Sequence, residues 1–108
     1  MAFTVRLTDD AARDLAEIVD YIAGHGGGAQ ARHVLDRIAE VLGRLANSPQ
    51  RGAYPKELLA VGIKEYRETF FKPYRLIHRI EEEEVFVLII AEGRRDFRAL
   101  LERRLLEV

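Results

Sequence analysis

Residues 73–93 read PYRLIHRIEEEEVFVLIIAEG, and this stretch decides the fold. Residues 74–80 alternate at period two, which predicts a strand with two different faces. One face would carry Tyr74, Leu76, His78 and Ile80, and the other Arg75, Ile77 and Arg79. The four glutamates at 81–84 predict a solvated turn, because adjacent carboxylates repel one another less in water. Residues 85–91 are apolar throughout, which is typical of a central strand covered on both faces.

The segment before this hairpin supplies the partner strand. Residues 65–71 have the composition of a strand, and Pro73 separates them from the next one. Residues 50–62 predict a loop with a short turn at 56–60. We therefore expect three consecutive strands to form an antiparallel meander.

Two amphipathic helices precede the meander. Residues 3–7 alternate like a strand, and Thr8 is placed to cap a helix over residues 9–23 that ends at Gly24. A second apolar stripe predicts a helix over residues 29–46, and the short glycine-rich link favours a helical hairpin. Past the meander, Phe97, Leu100, Leu101 and Leu105 mark a short C-terminal helix.

The order of elements is therefore β-α-α-β-β-β-α, an α+β fold. The apolar stripes of the two helices are too broad to bury only against each other, so a sheet must cover the remainder. We expect the helical hairpin to pack on one face of a small, curved, mainly antiparallel sheet. The other face would be free for function.

Composition limits the classes of function. Of 108 residues, 48% are hydrophobic and 32% charged, and the net charge of -1 gives no global reason to bind nucleic acid or membrane. Cysteine is absent, which excludes disulfides and thiolate sites. No apolar run approaches the roughly 18–20 residues of a membrane span, and the first ten residues lack a signal-peptide pattern. We expect one cytoplasmic domain, residues 1–108, without cofactor or metal.

Familiar catalytic patterns do not fit the sequence. The glycine-rich stretch at 24–28 follows a helix and lacks the Gly-Lys-Ser/Thr ending of a phosphate loop. His25, His33 and His78 have no metal-ligand spacing, and we expect His78 to be a hydrogen-bonded core residue. Ser48 is the only serine and precedes a proline, which makes a serine nucleophile improbable.

Arginine is the remaining candidate for function. The chain has 14 arginines and 3 lysines, and residues 94–104 hold five of the arginines. In a meander, Arg75 could approach Arg94 and Arg95 at one sheet edge and form a cationic patch for phosphates or carboxylates. The alternative is a set of surface charges balanced by nearby carboxylates such as Glu68. The residues alone leave both interpretations open.

Three features of the chain resemble the RelE/ParE superfamily of toxins from type II toxin–antitoxin systems. They are the order of elements, the segment PYRLIHRI at 73–80 and the segment VFVLIIAEGRRDFRALLERRL at 85–105. The resemblance covers nearly the whole chain. Its most specific parts are Tyr74-Arg75 and the strand that is followed by a basic pair, an Asp and a hydrophobic helix.

RelE-type members of this superfamily cleave mRNA on the ribosome. The resemblance implies Arg75 and Arg95 as the catalytic residues of such an enzyme. The lysine positions, however, fall near Tyr66 and Glu68, and the tyrosine position holds Leu101. A nuclease would thus lack most of its acid–base groups.

ParE-type members resemble this chain more closely, with two long hairpin helices and a basic, leucine-rich C-terminal segment. This resemblance implies a plasmid-stabilization type of toxin that inhibits DNA gyrase by binding and is not an enzyme. The ribosome with its mRNA is the alternative target. The target contacts would be Arg75, Arg94, Arg95 and Arg98.

The family also implies a co-encoded antitoxin that forms a hetero-oligomer with the toxin. Its disordered C-terminal segment would cover apolar grooves and neutralise the basic patch. The predicted contacts are Phe70, Phe71 and Tyr74. Because neighbouring residues of a strand point to opposite faces, one of Phe70 and Phe71 would face away from the core. The alternative is that loops bury both of them.

Overall fold

The computed structural model describes residues 2–93 and 96–106, and it confirms the α+β fold. Arg94 and Arg95 lie outside the described residues. The elements, in chain order, are β1 (Thr4–Leu7), α1 (Asp9–Gly26), α2 (Gly28–Asn47), a 3-10 turn (Pro49–Arg51), α3 (Lys56–Leu59), β2 (Arg67–Phe71), β3 (Tyr74–Glu81), β4 (Glu84–Glu92), α4 (Phe97–Leu101) and a π-helical continuation of α4 (Glu102–Leu106).

The four strands form one sheet in the order β1-β4-β3-β2. The β2-β3 and β3-β4 pairs are antiparallel, as the meander predicted, and β1 joins β4 in parallel. The register between β3 and β4 shifts at one point: Ile77 pairs with Ile89 and His78 with Val87, so Leu88 has no partner in this ladder. Such a bulge bends the strand and strengthens the local twist.

The start of α1 is as predicted, but its end is not. The Thr8 side-chain oxygen accepts a hydrogen bond from the Ala11 N–H at 3.2 Å, which satisfies one of the unpaired donors of the first turn. The helix continues through Gly24, because a glycine inside a helix costs only about 1 kcal/mol. The chain turns instead at Gly27, where φ is 90° and a side chain would be strained.

Two hydrophobic cores cover the sheet, one on each face. The helix-side core packs α1 and α2 against the sheet and contains Ala11, Ile38, Val41, Leu45, Leu76, Val85 and Val87. The far-side core lies under α3 and α4 and contains Leu58, Tyr66, Ile77, Ile89, Phe97 and Leu101.

The prediction that the far face of the sheet is free was therefore wrong. Ile77 and Ile89 on that face are fully buried, and Phe97 and Leu101 of α4 pack over them. What remains open for partners is the periphery of the sheet and the outer surfaces of the helices. Among residues 2–93 and 96–106, no helix has the length and apolarity needed to cross a membrane.

Candidate functional site

Arg75 is the centre of a buried cluster of charged residues on the far face of the sheet. Its Nη1 and Nη2 donate to the two carboxylate oxygens of Glu57, each at 2.8 Å. Its Nε donates to Oε1 of Glu68, also at 2.8 Å. The Arg75 side chain is only 9% exposed. One guanidinium thus holds two carboxylates in a site whose side chains are largely buried.

An aromatic ring completes the surroundings of Arg75. The guanidinium carbon lies 3.9 Å from the ring centroid of Phe97, a cation–π contact. Glu57 belongs to α3, Glu68 to β2 and Phe97 to α4. The cluster therefore connects the short helices α3 and α4 to strand β3 in the sheet.

The two carboxylates respond differently to the same arginine. The hydrogen bonds from Arg75 are the main cause that holds the pKa of Glu57 below its ordinary value. Burial is the main cause that raises the pKa of Glu68, and it outweighs the hydrogen bond from Arg75. The hydrogen bond to Glu57 raises the pKa of Arg75, which stays charged.

Of the two interpretations that the sequence left open for Arg75, the structure shows the one in which carboxylates such as Glu68 balance its charge. Its donors are directed to Glu57 and Glu68, and its charge is exceeded by theirs, so it offers no uncompensated cation to a phosphate. Whether Arg75 takes part in binding a target stays a prediction. In this structure its contacts hold the fold together.

The end of β4 leads into Gly93, which lies close to Arg75. Gly93, directly before Arg94, donates its N–H to the Pro73 carbonyl at 2.9 Å. A Cβ at Gly93 would lie 3.0 Å from Cδ of Arg75, so the two residues are in close contact. Arg98 lies on α4 with its side chain 67% exposed, and its Nε donates to Glu102 at 3.2 Å. Arg98 is therefore accessible to a partner.

The aromatic residues at the hairpin of β2 and β3 divide between surface and core. Phe70 is 53% exposed. Phe71 is half-buried against the helix-side core, and Tyr74 is buried in it. The prediction that one of the two phenylalanines faces away from the core is confirmed, and that residue is Phe70.

The positions that a RelE-type nuclease would need are occupied by structural residues. Leu101 is fully buried and Tyr66 is buried beside it in the far-side core. Glu68 is engaged with Arg75. None of these side chains is placed as a solvent-accessible proton donor or acceptor for RNA.

Two members of the Arg75 cluster were not identified from the sequence. Glu57 lies 18 residues before Arg75 in a four-residue helix, where a glutamate has the appearance of an ordinary surface residue. Phe97 was predicted only as an apolar residue of the C-terminal helix. The signal that could have found Glu57 is the need of a buried strand arginine for carboxylate partners.

Residues 5–97 match the model of the family described as the ParE toxin of type II toxin–antitoxin systems, parDE. The chain belongs to the ParE toxin family. The sequence-based resemblance to the RelE/ParE superfamily, closer to ParE, is thereby confirmed. No curated protein matches the sequence.

Two solved structures have the same fold as this ParE-type toxin. A chain of the chromosomal ParDE toxin–antitoxin system from P. aeruginosa is 21% identical, with a TM-score of 0.71, over 86% of this chain and 98% of that one. A chain of the toxin–antitoxin complex RelBE2 from Mycobacterium tuberculosis is 24% identical, with a TM-score of 0.63, over 86% of this chain and 100% of that one. At such identities the likeness concerns the fold.

Proposed function

We propose that this ParE-type toxin inhibits DNA gyrase by binding to it in the cytoplasm and is neutralised by a cognate antitoxin. The observation that carries the proposal is the match to the ParE family over residues 5–97. The geometry around Arg75 adds support, because a protein that acts by occupying a surface needs no proton donor or acceptor. The target contacts would be Arg94, Arg95 and Arg98, and Arg75 would contribute by anchoring α4 through Phe97.

A supercoiling assay with purified gyrase tests the proposed target. Excess wild-type toxin should inhibit supercoiling, and Arg98→Glu should weaken that inhibition, because it reverses a charge on the exposed side of α4. Arg13→Glu is the matched control: its side chain is also 67% exposed, and it also pairs with a carboxylate within one helical turn. The pair Arg94→Gln and Arg95→Gln tests the remaining contacts. Unchanged supercoiling with correctly folded toxin would contradict the gyrase proposal.

The alternative activity, ribosome-dependent cleavage of mRNA, is tested in the same preparation. Translation extracts should show no toxin-dependent cleavage in the ribosomal A site. Cleavage that is lost in Arg95→Gln, together with unaffected gyrase, would favour the RelE-type activity. The paired state of Arg75 and the burial of Leu101 support the binding inhibitor.

The antitoxin would cover the groove beside Phe70. This groove has a volume of about 640 Å³ and lies between α2 and the outer strand β2. Val41, Leu45 and Phe70 give it an apolar lining, and Arg44 and Arg51 add positive charge. Both features favour an acidic, amphipathic segment of the partner.

Binding of the co-encoded antitoxin to toxin variants tests this groove. Phe70→Ser should weaken the complex at least tenfold, because it removes an exposed aromatic contact. Val61→Ser, at a residue 56% exposed on the loop after α3, should leave the affinity unchanged. Equal affinities for both variants would contradict this placement of the antitoxin and leave the gyrase experiment unaffected.

A further inference from the structure

A groove of about 500 Å³ lies between α1 and the last residues of β4. Strand β1 pairs with β4 only as far as Val87, whereas β4 continues to Glu92. In the described part of the chain, residues 89–92 therefore have a partner strand, β3, on one side only. The other side of this segment is an open edge of the sheet that faces the groove.

The backbone groups that this edge presents follow from the hydrogen bonds of its neighbours. The N–H of Gly93 donates to the Pro73 carbonyl, so these two residues form a hydrogen-bonded pair. Because such pairs alternate along an antiparallel ladder, the backbone polar groups of Ile90 and Glu92 point away from β3. The N–H of Ile90 agrees with this direction, since it donates to the Asp14 carboxylate at 3.0 Å. The Ile90 carbonyl and the Glu92 N–H have no partner strand on that side among the described residues.

The side chains around this edge carry negative charge. Glu17 and Tyr21 of α1 line the groove together with Glu92. Both glutamates are exposed and form no salt bridge with a residue that the structure describes. Asp14 adds no free charge, because Arg104 donates to both of its carboxylate oxygens. Tyr21 is 65% exposed and gives the groove an apolar surface beside the two charges.

We propose that this groove binds an extended, basic peptide segment of a partner protein, which adds a strand to the edge of β4. The Ile90 carbonyl would accept an N–H of the segment, and the Glu92 N–H would donate to one of its carbonyls, as in other cases of strand addition. Lysine or arginine side chains of the segment would be attracted by Glu17 and Glu92, and their carbon chains would pack on Tyr21. The same carboxylates repel an acidic segment. The proposal does not use the gyrase or antitoxin assignments.

A synthetic peptide of five alternating lysine and valine residues, blocked at both ends, is the probe. Titration of the isotope-labelled toxin should give saturable shifts of the amide signals of Glu17 and Glu92. The Glu92 amide should also exchange with solvent more slowly, because it is then hydrogen-bonded.

Two comparison peptides separate the contributions of charge and of the backbone. An alternating glutamate and valine peptide should bind at least about fivefold more weakly, because its charge is reversed. The lysine and valine peptide with methylated backbone nitrogens should also bind about fivefold more weakly, because it keeps the charges but cannot donate to the Ile90 carbonyl. Shifts that do not saturate, or a comparison peptide that binds as tightly as the probe, would overturn the proposal.

Two toxin variants test the place of binding. Glu17→Gln should weaken binding of the probe about threefold, because one of the two free carboxylates is lost. Asp36→Asn is the matched control, since it removes an exposed charge from α2, and it should leave binding unchanged. Equal affinities of the two variants would overturn the assignment. Shifts of the Glu92 amide that depend on toxin concentration without peptide would assign the edge to a second copy of the chain, and would also overturn it.

Discussion

Arg104 and Asp14 form a two-point ion pair between residues 90 positions apart in the chain. Nη1 and Nη2 of Arg104 donate to the two oxygens of the Asp14 carboxylate at 3.1 and 3.0 Å. Arg104 also donates to the carbonyl of Leu88 at 2.7 Å, and Asp14 accepts the N–H of Ile90 at 3.0 Å. The pair therefore binds the C-terminal segment to α1 and satisfies backbone groups of β4 beyond the end of β1.

We expect Arg104→Gln to lower the free energy of unfolding by about 2 kcal/mol, because it removes charged hydrogen bonds from a largely buried pair. Urea unfolding followed by circular dichroism measures this change. Arg103→Gln is the control, since the neighbouring residue is exposed and should change stability little. Equal effects of the two variants would contradict a structural role for Arg104.

Replacement of Arg75 should have a larger effect. Arg75→Ala leaves Glu57 and Glu68 close together and without their cation, and loss of one partner from a buried ion pair costs about 3–5 kcal/mol. Arg98→Ala breaks only an exposed pair with Glu102 and should cost at most about 1 kcal/mol. Urea midpoints of the two variants provide the comparison. A stable Arg75→Ala protein would show that the cluster does not hold α3 and α4.

The carboxylates of this cluster give opposite dependences of stability on pH. The pKa of Glu68 is raised in the folded state, so the folded protein holds the proton of Glu68 more tightly than the unfolded chain does. The free energy of unfolding therefore falls as pH rises from about 4.5 through the raised pKa. The pKa of Glu57 is lowered, so its contribution is present above 4.5 and is lost as pH falls through the folded value.

Urea unfolding of two variants between pH 3.5 and 7 tests these signs. Relative to wild type, Glu68→Gln should become more stable as pH rises above about 4.5, because the variant lacks the cost of ionising a buried carboxyl. Glu57→Gln should be less stable than wild type at pH 7, and its deficit should shrink below pH 4.5. The same pH trend for both variants would contradict the assignment of the two pKa directions.

The strands and the long helices could be predicted because each spans enough residues for its hydrophobic pattern to be recognised. The Thr8 cap, the apolar stripes of α1 and α2 and the wholly apolar run of β4 each determine their element locally. The run in β4 also required cover on both faces of the sheet. The sequence indicated a short turn at 56–60 and a short C-terminal helix, but not that α3 and α4 supply this cover. Which face of a sheet a short element covers depends on tertiary contacts, and a local pattern does not contain them.

The candidate site was predictable only in part. The resemblance named Arg75 and the basic segment after β4 as site residues, which stays a prediction, and strand alternation favoured an outward-facing residue at Phe70 or Phe71, which is Phe70. The pairing of Arg75 with Glu57 depends on where the loop after α2 places α3, which is a tertiary contact. Residue type cannot distinguish a buried, paired arginine from an exposed one.

The buried side of α4 offers a test of the far-side core. Leu101→Ala should lower the free energy of unfolding by about 2–5 kcal/mol, because Leu101 is fully buried and the change leaves a cavity. Leu106→Ala is the matched control in the π-helical continuation, where the side chain is 43% exposed. Thermal unfolding should separate the two variants clearly. Similar melting temperatures would contradict the packing of α4 over the sheet.

Alanine should have opposite effects on stability at Gly24, inside α1, and at Gly27, between α1 and α2. Gly24 lies inside α1, and a Cβ there would meet no atom within 4 Å, so Gly24→Ala should stabilise the protein by about 0.5–1 kcal/mol. Gly27 has a φ of 90°, which L-residues with a side chain rarely adopt, so Gly27→Ala should destabilise it by about 1–2 kcal/mol. Urea unfolding of both variants measures the two signs. If the helix ended at Gly24 instead, alanine would be unfavourable there and tolerated at Gly27, so the order of the two stabilities decides between the two helix boundaries.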